Sequence, residues 1–289
     1  MPREPQKFKR LVLGLQLRAP DQTMRLAVEL AQLLNLDLLG VFLEDTSLQN
    51  LANIPFAREI RPLGGSWHPI DIKELSHELE VAARSAEKMF AEAAKHLPTQ
   101  WRFEVARGPM AATIAAVSQS SDIVMIGEPR NIAERVSQQF YWLVEAAFQS
   151  AAAVMVVPSQ IGRAKGPIVA IAATKDDPSI AVAAGIARAA DEELVIVDVC
   201  ETAIDEAHIR ALAAAKALTI KHIIDGRITG VNATSLANAL HPFHERLVVM
   251  TRSASDDQVA SVIAAEQRVP VMVVEPAEAA TKVAAAAGE

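Results

Sequence analysis

The sequence predicts an α/β protein built as two tandem, doubly wound, five-stranded parallel sheets, Rossmann-like in winding. Short apolar runs alternate with amphipathic stretches along most of the chain, as expected of βαβ units whose strands are buried on both faces. The stretch 122–159, DIVMIGEPRNIAERVSQQFYWLVEAAFQSAAAVMVVPS, returns in shortened form at 246–276, RLVVMTRSASDDQVASVIAAEQRVPVMVVEP. A chain of 289 residues is also long enough for two ordinary domains.

In chain order, residues 8–16, FKRLVLGLQ, have the continuous apolar centre of a buried strand. Asp21 then caps a helix reaching Asn35, because Met24, Ala27, Val28, Ala31 and Leu34 recur at helical spacing. A second strand occupies 37–43. Residues 73–97 form a long helix with Leu75, Leu79, Ala82, Ala86, Phe90, Ala93 and Leu97 on one face, stopped by Pro98. The first half closes with a strand at 101–106, a helix at 111–120, a strand at 123–127, a helix at 133–149 and a strand at 154–157.

Residues 44–72, EDTSLQNLANIPFAREIRPLGGSWHPIDI, are too long for a strand-to-helix turn and too apolar for a solvated linker. They read as an ordered insertion. Its Leu51, Ile54, Pro55, Phe56 and Trp67 are a candidate interaction surface, with capping of its own domain as the other reading. Residues 64–69, GGSWHP, fit either a ligand-clamping turn or a tight turn pinned by a buried Trp.

The second half repeats the alternation: strands at 167–173, 193–199, 220–224, 247–251 and 271–274, with helices at 179–190, 204–217, 232–239 and 255–266. The polar SQIGRAKG places a boundary near Gly162, giving domains at 1–161 and 166–276. The Ala-rich tail 277–289 is low in complexity.

A net charge of −7 with scattered basic residues excludes an electrostatic footprint for nucleic acid. No apolar run approaches the roughly 20 residues of a membrane span, and the apolar part of the N-terminal MPREPQKFKRLVLGL is too short for a secretory signal. The expectation is a cytoplasmic protein. The only cysteine, Cys200, ends an apolar run and reads as an inert thiol.

The strand, Gly-led loop, helix and final strand that close each copy resemble the universal stress protein family, here as a tandem pair with degenerate nucleotide-binding motifs. The resemblance implies that the closing strands, 154–157 and 271–274, pair across a pseudo-two-fold axis within the chain. Nucleotide-binding members carry Asp at the end of the first strand. After the fourth they carry Gly, two residues, Gly, nine residues, then Gly with Ser or Thr. Glycines there let backbone N–H groups approach phosphate. This sequence keeps Gly127 but places Arg130, Phe140 and Tyr141 at the later positions and Gln16 at the Asp position. In the second half Ala173 replaces the Asp, Thr251 replaces the first Gly, and RSASDDQ carries no glycine and two acids. No cofactor is therefore expected, ATP and AMP included.

Lys175 and Asp176, after the first strand of the second half, could hold a phosphate through Mg²⁺, but Asp177 before Pro178 also has the form of a helix N-cap. His241 and His244 lie three apart around Pro242, without the Cys or acidic cluster that would complete a metal site. The sequence thus points to a non-catalytic, stress-related regulatory or interaction protein that has lost the usual ATP site, with a protein partner and no membrane insertion. The alternative is a small-ligand or nucleotide sensor, or a nucleotide-dependent enzyme, using a remodelled crevice at Gln16, Gly127, Arg130, Lys175, Asp176 and Arg252. Association into a homodimer is left open.

Overall fold

The computed structural model describes residues 8–15, 21–45, 58–60, 67–69, 72–129, 138–149, 153–200, 204–224, 233–252 and 257–276. Ten of the strands form one sheet, in the order β10-β9-β8-β11-β12-β7-β6-β1-β2-β5. In the first half these are β1 (Arg10–Leu15), β2 (Asp37–Asp45), β5 (Trp101–Gly108), β6 (Asp122–Gly127) and β7 (Ala153–Val157). The second half supplies β8 (Ile168–Ala172), β9 (Leu194–Asp198), β10 (Ile220–Ile224), β11 (Leu247–Thr251) and β12 (Val271–Val274). Each half has the same strand order relative to its own sequence, and all pairings within a half are parallel.

The halves join edge to edge. Strand β12 runs antiparallel to β7, with Met272 opposite Met155 and Val271 and Val273 opposite Val156 and Val154. Every residue of both strands is buried, so the closing edges that would otherwise offer unpaired backbone groups cover each other. The intrachain pseudo-dimer expected from the sequence is this seam.

Helices cover both faces of the sheet. On one face lie α1 (Asp21–Leu34), α2 (Ile72–Ala94), α5 (Pro178–Ala190) and α6 (Glu206–Lys216), joined to the strands through Met24, Phe90, Ile180 and Ile209. On the other lie α3 (Met110–Val117), α4 (Gln138–Gln149), α7 (Ala233–Leu240) and α8 (Asp257–Gln267), packed through Ile114, Leu143, Leu236 and Ile263. Burial of the inner strands on both faces explains their unbroken apolar runs, whereas the edge strands β5 and β10 are largely exposed or half-buried.

The insertion contains a two-stranded antiparallel ribbon, β3 (Arg58–Ile60) with β4 (Trp67–Pro69), in which Ile60 and Trp67 are partners in the backbone register. Sequence reading gave this segment order but no strands, because each is only three residues long and carries no alternation to detect. Leu51, Ile54, Pro55 and Phe56 lie outside the described residues, as does the side chain of Trp67. The long helix ends at Ala94, ahead of the expected 97, and α4 is described from Gln138.

Candidate functional site

In a doubly wound sheet, ligands bind at the carboxyl ends of the strands where the order reverses. Here the reversals fall between β1 and β6 in the first half and between β8 and β11 in the second.

In the second half one carboxylate bridges the strand ends at this point. Asp177 is buried, with extended backbone at φ −61°, and its side chain accepts from Ser179 N at 2.9 Å as the N-cap of α5. The other carboxylate oxygen accepts from Ala173 N at 2.9 Å, at the end of β8. The Thr251 hydroxyl, from the end of β11, donates to the same carboxylate. One side chain therefore ties both strand ends to the helix start, satisfying N–H groups that a bound anion would otherwise use. Lys175 and Asp176 stand exposed on the turn before this cap, with no side-chain partner among the described residues.

Arg252 is engaged by partners from both halves. Its guanidinium forms an ion pair with Glu275 and lies 5.6 Å from the centre of the Phe148 ring, on α4 of the other half. Burial pushes the Glu275 carboxyl above its ordinary value, with Arg252 working against the rise. The backbone of Arg252 is held too, its N–H donating to Val274 O at 2.8 Å, as Glu128 N donates to Val157 O at 2.7 Å in the first half. The first residue after the fourth strand is therefore held alike in the two halves.

In the first half Gly127 ends β6 against α1. A Cβ on Gly127 would stand 2.7 Å from Thr23 Oγ1 and 3.1 Å from Thr23 Cγ2, so the glycine is fixed by helix packing. Thr23 is 2% exposed, and its hydroxyl has no hydrogen-bond partner among the described residues. Sequence reading missed it. The available signal was that Thr23 falls in line with Ala27 and Ala31 on the buried stripe of α1, a polar residue where an apolar one is expected. Gln16 and Arg130 lie outside the described residues, and the side chains of Phe140 and Tyr141 are likewise not described.

A polar cluster borders the second crevice at the ends of β9 and β10. Asp198 is buried and accepts from Ile204 N at 2.7 Å, Cys200 N at 2.9 Å and His222 Nε2 at 3.1 Å. Burial acts to raise the Asp198 pKa, but the hydrogen bonds from Ile204, Cys200 and His222 hold it below the usual carboxylate range. Burial, reinforced by that carboxylate, pushes the Cys200 thiol up to about 12. With the acid placed between imidazole and thiol, no described residue draws the proton from sulfur, as an activated nucleophile requires. His244 Nδ1 meets Arg163 at 2.8 Å, and among the described residues no group of three or more His, Cys, Asp or Glu is placed to hold a metal ion. No helix among them is long and apolar enough to cross a membrane.

Among solved structures, the chain is similar to a universal stress protein from Archaeoglobus fulgidus DSM 4304, at 15% identity and a TM-score of 0.62, over 93% of this chain and 97% of that one. It is similar also to a candidate universal stress protein from Pseudomonas aeruginosa UCBPP-PA14, at 13% identity and a TM-score of 0.52, over 98% and 99%. A functionally unknown protein from Pseudomonas aeruginosa PAO1 has the same identity and TM-score, over 94% of each chain. No family model and no curated protein matches the sequence. At these identities the likeness is one of fold, and the chain has the universal stress fold along nearly its whole length.

Proposed function

We propose that this chain is a non-catalytic, cytoplasmic regulatory or interaction protein of the universal stress type, working through a protein partner and without the nucleotide site of that type. The observation that carries the reading is the Asp177 carboxylate, whose bonds to Ala173, Ser179 and Thr251 occupy the strand ends where a phosphate would need free N–H donors. Gly127 supports it in the first half, since the closeness of Thr23 accounts for that glycine without a ligand. Thermal unfolding with ATP, ADP, AMP and cyclic AMP tests the proposal. No shift is expected. At about 1 mM nucleotide, a Kd of about 10 µM would stabilise the fold by about 2.7 kcal/mol and overturn it.

One observation favours a second reading, a small-ligand or nucleotide sensor with a remodelled crevice. The buried Thr23 hydroxyl beside Gly127 has no hydrogen-bond partner among the described residues, at the reversal point of the first half. A ligand-induced shift in the unaltered chain that disappears in Thr23→Ala would support this reading over the first.

A further inference from the structure

The ten-stranded sheet ends on β5 at one side and β10 at the other. These edges differ. Strand β10 has five residues, and two of its side chains are already engaged, Lys221 with Glu193 and His222 with Asp198. Strand β5 has eight, contains no proline, and is exposed along most of its length. Such an edge is a template for another strand unless something blocks it.

Its side chains fall into two sets. Leu38 N donates to Gln100 O at 2.9 Å, and Trp101 lies opposite Leu38 in the parallel register with β2. By the alternation of a parallel ladder, Arg102, Glu104 and Ala106 turn their backbone groups towards β2. Trp101, Phe103 and Val105 turn theirs to the open side. Trp101 and Val105 are 38% and 44% exposed although both are large and apolar. The Phe90 ring holds two members of the set in place, 5.9 Å from Trp101 and 5.8 Å from Phe103. Arg102 and Glu104 are exposed with no polar partner among the described residues, whereas Arg107 is engaged with Glu44 at 2.6 Å.

We propose that β5 is a dimerisation edge, on which a second copy of the chain adds its own β5 antiparallel about a two-fold axis through Phe103. In that register Phe103 meets Phe103 of the second copy and Trp101 meets Val105, all through residues whose backbone groups face the open side. Arg102 then lies opposite Glu104, twice by symmetry. These are the non-hydrogen-bonded positions, where opposing side chains approach most closely. The alternation of backbone groups along the strand allows the register to slip only in steps of two, and the nearest slips place Arg102 opposite Arg102 or Glu104 opposite Glu104. Charge thus selects one alignment. The interface is isologous, as closed two-fold dimers require, and it leaves the β7–β12 seam inside each chain untouched.

Sedimentation velocity on the full-length chain tests the proposal. The unaltered protein is expected to reach twice its 31.0 kDa mass, and a monomer persisting at about 100 µM chain would overturn the idea. Arg102→Glu and Glu104→Arg each place like charges opposite and should weaken association at least ten-fold while the circular dichroism spectrum is unchanged. Combining both substitutions in one chain should restore the dimer. Mixing the two single variants should give a heterodimer, because each supplies the charge the other lacks. Dimers of undiminished affinity in both single variants, or no association in the mixture, would contradict the β5 pairing.

Discussion

The Thr251 hydroxyl donates to the Asp177 carboxylate, joining the end of β11 to the helix start that follows β8. That carboxylate also holds Ala173 N and Ser179 N. Asp177→Ala removes the helix cap and leaves buried donors unpaired, and should cost about 2–4 kcal/mol. Thr251→Val should cost about 1–2 kcal/mol. Urea unfolding of both single variants and the double variant checks this, with the double falling short of the sum because the two side chains share one bond.

Gly127 answers to packing. Gly127→Ala drives a Cβ into the Thr23 side chain and should destabilise the chain by about 1–3 kcal/mol. In a Thr23→Ala background the same change should cost less, since the clashing hydroxyl and methyl are gone. A midpoint shift equal in both backgrounds would contradict the assignment of Gly127 to helix packing.

Much of the fold was legible because both halves obey the same rule: apolar runs for strands buried on two faces, and apolar stripes for the helices between them. Asp177 before Pro178 announced its own cap. The Thr251 link was not legible, since it joins residues 74 positions apart and depends on the β8–β11 register. The engagement of Arg252, a candidate crevice residue, with Glu275 and Phe148 was not legible either, because it arises where the turn beside β12 meets the other half. Glu245 gave no warning either. Its surroundings, HPFHER, look like a solvated loop, yet it is fully buried.

Both carboxylate oxygens of Glu245 lack a hydrogen-bond partner among the described residues. Burial raises its pKa, while its own backbone N–H and the charges of Arg163, His244 and His241 act in the opposite direction. The folded state therefore keeps this proton to higher pH than the unfolded chain, whose Glu titrates near about 4.3. Its contribution is fully present below that value and is lost as pH rises through the folded pKa. Glu245→Gln should flatten the decline and raise stability at pH 7, by about 1–3 kcal/mol. Asp198 has the opposite sign. Its depressed pKa stabilises the fold above about pH 3.9, and the contribution is lost as acid protonates it, so Asp198→Asn should weaken the acid limb's slope. Denaturant unfolding across pH, for each variant beside the unaltered chain, separates the two effects.

Cys200 should resist alkylation. With its thiol pushed up to about 12 and its sulfur donating to Ala172 O at 3.4 Å, little thiolate exists at neutral pH. Iodoacetamide labelling of the folded chain at neutral pH should be far slower than that of the urea-unfolded chain, and equal rates would contradict the placement.

The proposed closure of the second half's crevice is tested most directly by following the backbone amides of Ala173, Ser179 and Thr251 by NMR while ATP is titrated into the full-length chain. The account predicts that the three resonances keep their positions to about 1 mM nucleotide, because Asp177 already occupies the Ala173 and Ser179 donors. Saturable shifts of these amides, fitting a Kd near or below about 10 µM, would contradict it.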